Sequence, residues 1–296
     1  MTTDTLRPSW FTNFLDHAAS LVDASSTPHW IARGANFVVV VSEVKAGTVL
    51  AREAEKDEYF TLLPAGVGAR FEAGDASIAS DGDTLAILPP GNSRVVAQNA
   101  GLIYRVFTNR ATDLVALAQN TANYADGAPQ VAPLVEWPEP SDGYRLRVYP
   151  LEKYSRKGVP GIFGRLFRTR CLMINPFDVS PVPRDPAKMT PHAHDDFEQG
   201  SLIIQGAFVH HLRFPWGTDL TQWREDEHIE VGSPSLIVIP PRSIHTSQSV
   251  GQGPFQIIDI FSPPREDFSS KPGLVCNADE YPLPAALQAK LAAKAA

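Results

Sequence analysis

Two stretches of the chain repeat each other, and this constrains the fold more than any other feature. Residues 82–94 read GDTLAILPPGNSR and residues 232–245 read GSPSLIVIPPRSIH. Each runs from a glycine turn through an apolar strand to a Pro-Pro corner. Upstream, EYFTLLPAG at 58–66 aligns without gaps on EQGSLIIQG at 198–206. Two matches in the same order imply two copies of one β module, joined through residues 111–150. The copies differ in length: Glu58 to Arg94 spans 36 positions and Glu198 to His245 spans 47, so the second holds 11 extra residues. They fall within 207–231, with Trp216, Trp223 and the acidic run Glu225-Asp226-Glu227. An insertion in one copy of a scaffold is where a site gains a lid or an interface.

The remainder of the chain fits an all-β class. Its 26 prolines and 20 glycines punctuate short apolar or alternating runs such as NFVVVVSEV, LIYRVF, SLIIQG and FQIIDIF, the pattern of a barrel or sandwich. Helical patterning is confined to residues 9–22 with Pro8 at the start, to 111–121, and to the Ala-rich 285–296. Residues 126–143, rich in Pro and Gly, read as a connection. The expected organisation is an N-terminal helical segment at 1–30, a first barrel at 31–115, a linker at 116–150, a second barrel at 151–265, and a tail with a helix at 266–296.

Composition removes several classes of function. The formal net charge is −7, and the nearest approach to a basic stripe is Arg165, Arg168 and Arg170, expected on the solvated side of a strand. No nucleic-acid partner is expected. No apolar run reaches membrane-spanning length, and the N-terminus lacks a secretion signal, so neither a membrane nor export is expected. Cys171 and Cys276 stand alone without CxxC spacing, which excludes a disulfide framework and leaves the cytoplasm as the default. Cradle motifs for phosphate and nucleophile-elbow motifs are absent.

Chemistry concentrates in the second copy, in PHAHDDFE at 191–198 and His245. On a strand, residues two apart share a face, so His192 and His194 can aim at one point. Glu198 adds a carboxylate, and His245 arrives just after a proline corner. Three neutral imidazoles with a carboxylate suit a first-row divalent metal and can leave coordination positions open. Glu198 could double as a catalytic base. Of the pair His210/His211 only one can face inward; His210 is the candidate base or a structural histidine. Arg242 is either a carboxylate clamp or part of a salt bridge with nearby acids. Trp216 and Trp223 either close over the pocket or plug a barrel end or dimer contact.

These residues resemble the two motifs of the cupin superfamily, His-x-His-x(3,4)-Glu and Gly…Pro-x-Gly-x-x-His. The second copy matches at His192, His194, Glu198, Gly206, Gly232, Pro240 and His245; Arg242 stands where the motif has glycine, and Gly206 lies one residue late. With the first copy included, the chain resembles a bicupin over roughly 31–115 and 151–265. Positions matching His192, His194 and His245 are Arg52, Ala54 and Arg94 in the first copy, while Glu58 is kept. There the residues allow either an ion pair of Glu58 with Arg94 or Arg52, or solvated arginines around an apolar barrel.

The resemblance implies one divalent transition metal per chain (Fe, Mn, Zn, Ni or Cu) and a small-molecule substrate. One expectation is an isomerase or lyase that moves a proton on a sugar acid or a keto/enol compound, with the metal as Lewis acid. This arrangement is similar to the bicupin uronate isomerases. A second is a cupin dioxygenase cleaving an enolised or diphenolic substrate with O₂; a third is a non-catalytic metal-stabilised binding protein. A homodimer is expected, with the terminal helices covering barrel edges.

Overall fold

A computed structural model describes residues 7–158 and 164–295. Each repeat is a barrel of two opposed antiparallel sheets. In the first barrel, seven strands run in the order Arg147–Pro150, Thr84–Leu88, Tyr59–Leu63, Gly101–Thr108, Phe37–Val44, Pro28–Arg33, Leu21–Val22. They oppose Val49–Glu55, Gly91–Ala97, Ala69–Ala73 and Ala76–Ser80. In the second, six strands run Trp10–Asn13, Ser235–Ile239, Gln199–Gln205, Gln256–Phe261, Met173–Pro176, Phe167–Arg168. These oppose Glu227–Val231, Ala207–Arg213 and Ile244–Val250.

The two repeat strands, Thr84–Leu88 and Ser235–Ile239, are each capped by a strand from elsewhere in the chain. Arg147–Pro150, which leads into the second barrel, pairs with Thr84–Leu88, and Trp10–Asn13, which leads into the first, pairs with Ser235–Ile239. The exchange hides two sheet edges that would otherwise offer unpaired backbone groups. It also corrects the helix expected at 9–22, which is a strand, a single 3₁₀ turn at Phe14–Asp16 and the short strand Leu21–Val22. Ladder hydrogen bonds and the full burial of Phe14 between the barrels outweigh the helical stripe. Residues 1–6 of that expected segment lie outside the described residues. Helices do form at Thr112–Leu117 and Ala285–Ala295, with a further short one at Glu266–Ser269.

The large sheets pack against each other in one continuous core. Phe37, Val39, Val41, Phe60 and Leu62 meet Leu202, Leu236, Val238, Ile258 and Ile260 there. Alternate residues Val38, Val40 and Val44 fill the interior of the first barrel with Leu50, Phe71 and Val95. A strand buried on both faces carries no polar alternation, which is why residues 37–41 read as an unbroken apolar run. Tyr59 stacks on Phe107 at 4.5 Å and closes the first barrel. Arg165 and Arg168 are buried rather than solvated. Arg165 donates to the carbonyls of Leu151, Pro176 and Phe177, and Arg168 to those of Tyr281 and Pro282, tying the tail to the second barrel.

Candidate metal centre

His192, His194 and His245 come together on one wall of the second barrel. One ring nitrogen from each lies within 4.8 Å of the others. His192 and His194 sit in an irregular segment, held by a two-way backbone bridge between His192 and His245, at 3.1 and 2.8 Å. The Nδ1 of His192 lies 3.0 Å from the Thr190 carbonyl, and that of His245 lies 2.9 Å from the Ser243 carbonyl. A carbonyl can only accept, so both rings carry hydrogen on Nδ1 and present the Nε2 lone pair. Burial, with the nearby Arg265 charge, holds His194 down to about 3; burial holds His245 to about 4. Both are neutral at physiological pH, the form that ligates a metal.

Glu198 is not the fourth member of this cluster. Strand alternation sends Glu198 and Leu202 towards the other barrel and Gln199, Ser201 and Ile203 into their own. The Gln199 Oε1 accepts from His194 Nε2–H at 2.9 Å and lies 3.3 Å from His245 Nε2; a metal bound here would take the place of that proton. Its amide nitrogen donates to Ser201 and to Asp259, at 3.0 and 3.1 Å, so the oxygen is held facing the imidazoles. Three neutral imidazoles and an amide oxygen are a donor set that a borderline divalent metal accepts. Sequence reasoning passed over Gln199 because it looked for a carboxylate; the alternation of EQGSLII was the available signal.

Glu198 instead joins the two barrels. Its Oε2 accepts from the Ala35 backbone N–H at 2.6 Å and from the Tyr124 hydroxyl at 3.1 Å. Gly34 leaves room for it, since a β-carbon there would fall 2.9 Å from that oxygen. The same device recurs in the other copy, where Glu58 accepts from Tyr281 Oη at 2.6 Å with Arg147 at 3.9 Å. The glutamate kept in both repeats therefore serves the seam between the barrels. Of the two arrangements the residues allowed there, the ion pair of Glu58 with Arg94 or Arg52 does not form. Arg52 bonds Glu55 and Asp113, and Arg94 is an exposed partner of Glu72. The ladder places Ser93, rather than Arg94, opposite Arg52.

Burial raises Glu58 from 4.5 to about 7, with Tyr281 and Arg147 opposing the shift. Between those values the folded protein holds a proton that the unfolded chain has released, so stability falls as pH rises through this window. Glu58→Gln should flatten that slope. Urea unfolding at pH 5 and pH 8 tests this, and an unchanged slope in the variant would contradict it.

The other candidates separate. His210 is buried, its Nδ1 2.8 Å from Ser247 Oγ and its Nε2 without a partner; burial holds it near 3. It bonds Ser247, which lines the cavity, and does not itself line it, so its place is to orient that hydroxyl. Arg242 adopts a left-handed φ of 65°, the conformation glycine favours, and its backbone N–H donates to the His194 carbonyl at 2.5 Å. Its side chain does not line the cavity. Trp216 and Trp223 stack on each other at 4.2 Å in the inserted loop, exposed and away from the cavity.

That cavity, of about 970 Å³, is bounded by His192, His245 and Gln199. Phe177, Met189, Phe208, Phe255 and Phe268 give it apolar walls, and the cations Arg184, Lys188, Arg265 and Lys271 line it beside the acids Asp178, Asp185 and Asp259. Arg265 lies over the Phe268 ring at 3.7 Å. Asp259 is raised to about 6 by burial. Neither Arg265 nor Asp259 stands in a recognisable motif, so sequence reasoning missed both.

No family model matches the sequence, and no curated protein sequence matches it. Solved structures do match the fold. Protein Ylba from E. coli aligns with TM-score 0.58 and 13% identity over 89% of this chain and 96% of its own. An oxalate decarboxylase from Lactobacillus farciminis, solved as its formate complex, aligns with TM-score 0.51 and 15% identity, over 90% and 88%. AerE from Microcystis aeruginosa aligns with TM-score 0.53 and 7% identity, over 80% and 93%. Among the described residues, no helix is long and apolar enough to cross a membrane. With its duplicated barrels, exchanged strands and histidine-walled cavity, the chain has the cupin fold in its two-barrel form.

Proposed function

We propose that the second barrel is a metal-dependent catalytic site for a keto or enol carboxylate with an apolar body. His192, His194, His245 and Gln199 would hold the metal. A divalent ion bound there supplies Lewis-acid polarisation of a substrate oxygen. The observation that carries the reading is the cavity itself, which has convergent imidazoles on one wall, four cationic side chains around it and aromatic surface between them. Arg265, braced over Phe268 and bonded through Nε and Nη2 to the Asp267 carboxylate, would donate from Nη1 to a substrate carboxylate. The phenylalanines exclude water and strengthen that contact. Asp259 keeps the Gln199 amide turned so that its oxygen faces the histidines. Apolar walls and a volume at the upper end of ordinary ligand pockets favour a keto/enol compound over a polyhydroxylated sugar acid.

The same walls would also fit a diphenolic ring, which supports O₂-dependent cleavage as a second reading. Metal-replete protein should be screened against keto and enol acids, and oxalate, the substrate in a neighbour's name, with and without O₂. Turnover without O₂ that is lost in His245→Ala supports the first reading, and turnover only with O₂ uptake supports the second. No turnover of any acid by metal-loaded protein would contradict the first reading, and no O₂-dependent turnover of a diphenol the second. Within the first reading, Arg265→Met should raise KM about 100-fold, within the roughly 2–5 kcal/mol seen when a desolvated charged contact is truncated. Steady-state kinetics should show kcat much less affected, with Arg265→Lys partly restoring KM. An unchanged KM would remove Arg265 from substrate binding.

A further inference from the structure

We infer that the first barrel binds a small monovalent anion, of halide size, between Arg105 and Thr61. The two barrels can be superposed through their ladders. In the first, Val106 pairs with Phe60 and Arg105 with Thr61; in the second, Ile260 pairs with Gly200 and Asp259 with Ser201. Arg105 is thus the counterpart of Asp259, Thr61 of Ser201, and Tyr59 of Gln199. In the second barrel this network ends in a carboxylate that accepts from Ser201 at 2.9 Å and from Gln199 at 3.1 Å, beneath the candidate cation site. In the first it ends in a guanidinium. The sign of the charge at the same place in the barrel is inverted.

Among the described residues no carboxylate bonds that charge; its nearest favourable contact is the face of the Phe107 ring, 5.6 Å away. Arg105 is 5% exposed, and its one hydrogen bond runs from Nη2 to Ser42 Oγ at 3.4 Å. Its Nε has no partner. Directly across the ladder, on the same face, the fully buried Thr61 hydroxyl has no partner either. The acids within electrostatic reach are engaged elsewhere: Glu55 pairs with Arg52, and Asp23 bonds His29 and Ser25. Burial lowers Arg105 to about 10, which leaves it charged at neutral pH. An unpaired buried charge is costly, and so is a buried donor without an acceptor. One anion accepting from Arg105 Nε–H and Thr61 O–H removes both costs, whereas a water molecule satisfies the donors but not the charge. A small anion is inferred rather than a phosphate because the Tyr59–Phe107 stack and the packed aliphatic core of the barrel surround the pair.

Crystals of the full chain soaked in sodium bromide test the site by anomalous scattering. Thermal unfolding in sodium bromide or sodium gluconate at equal ionic strength supplies a solution measurement. The expected results are a bromine peak between Arg105 Nε and Thr61 Oγ1, and a Tm higher in bromide by roughly 5 °C when the halide is about 100-fold above its Kd. Thr61→Val keeps the guanidinium and the fold and should lose both signals, and Arg105→Met should lose the halide dependence. A water in place of the peak, equal Tm in the two salts, or a Thr61→Val chain with the full halide response would overturn the inference. None of these readouts depends on the metal site or on activity.

Discussion

Glu198→Ala should destabilise the protein by about 3 kcal/mol while its bound metal stays at the wild-type level. The substitution leaves the Ala35 N–H and the Tyr124 hydroxyl buried without their acceptor, each at about 1–3 kcal/mol. It also opens a void in the seam beside Phe37. Glu58→Ala should show a smaller loss, because it strands the Tyr281 hydroxyl while Arg147 keeps its ion pairs with Glu280 and Asp142. Since the two locks share no partner, their effects should add to within a few tenths of a kcal/mol. Chemical unfolding followed by tryptophan fluorescence measures the first quantity, and elemental mass spectrometry the second. A Glu198→Ala protein that is fully stable but metal-free would return the carboxylate to the metal.

His245→Ala should have the opposite profile. It removes one of three converging imidazoles and leaves a small, partly solvated gap, so the barrels stay folded. The loss in metal affinity should exceed the 10–100-fold typical of altering groups that merely support a ligand. Gln199→Ala separates roles further. It removes the amide oxygen near two imidazoles and also releases Asp259, so metal affinity should fall with only a modest change in stability. Metal competition titrations with a chelator of known affinity would rank the variants as His245→Ala weakest, Gln199→Ala next, and Glu198→Ala equal to wild type. A Gln199→Ala protein indistinguishable from wild type would confine the candidate ligand set to the three histidines.

Much of this architecture was legible in the chain. The paired Pro-Pro corners and the gapless match of EYFTLLPAG to EQGSLIIQG identify the duplication, because equal strands must end at equal turns. The histidines were legible because few other side chains serve a metal at that spacing. What misled was a question of face. Glu198 and Gln199 are neighbours on a strand, so they point opposite ways, and which one enters the barrel depends on where the second barrel packs. The repeated glutamate looked like the remnant of a metal site, yet it is the part common to both halves of the seam. The strand at Trp10–Asn13 was hidden for a related reason. Its partner, Ser235–Ile239, lies more than 200 residues away, and local apolar spacing carries no record of that ladder. The burial of Arg105 leaves no local trace, because a single charge in LIYRVF carries no record of which face of the sheet it takes.

Elemental analysis of the untagged wild-type protein, purified without added metal beside a His192→Ala/His245→Ala double variant, tests the metal assignment most directly. About one divalent transition metal per chain is expected in the wild type, lost in the variant while the unfolding transition of the first barrel persists. Equal metal content in the two proteins, or none above background in either, would contradict it.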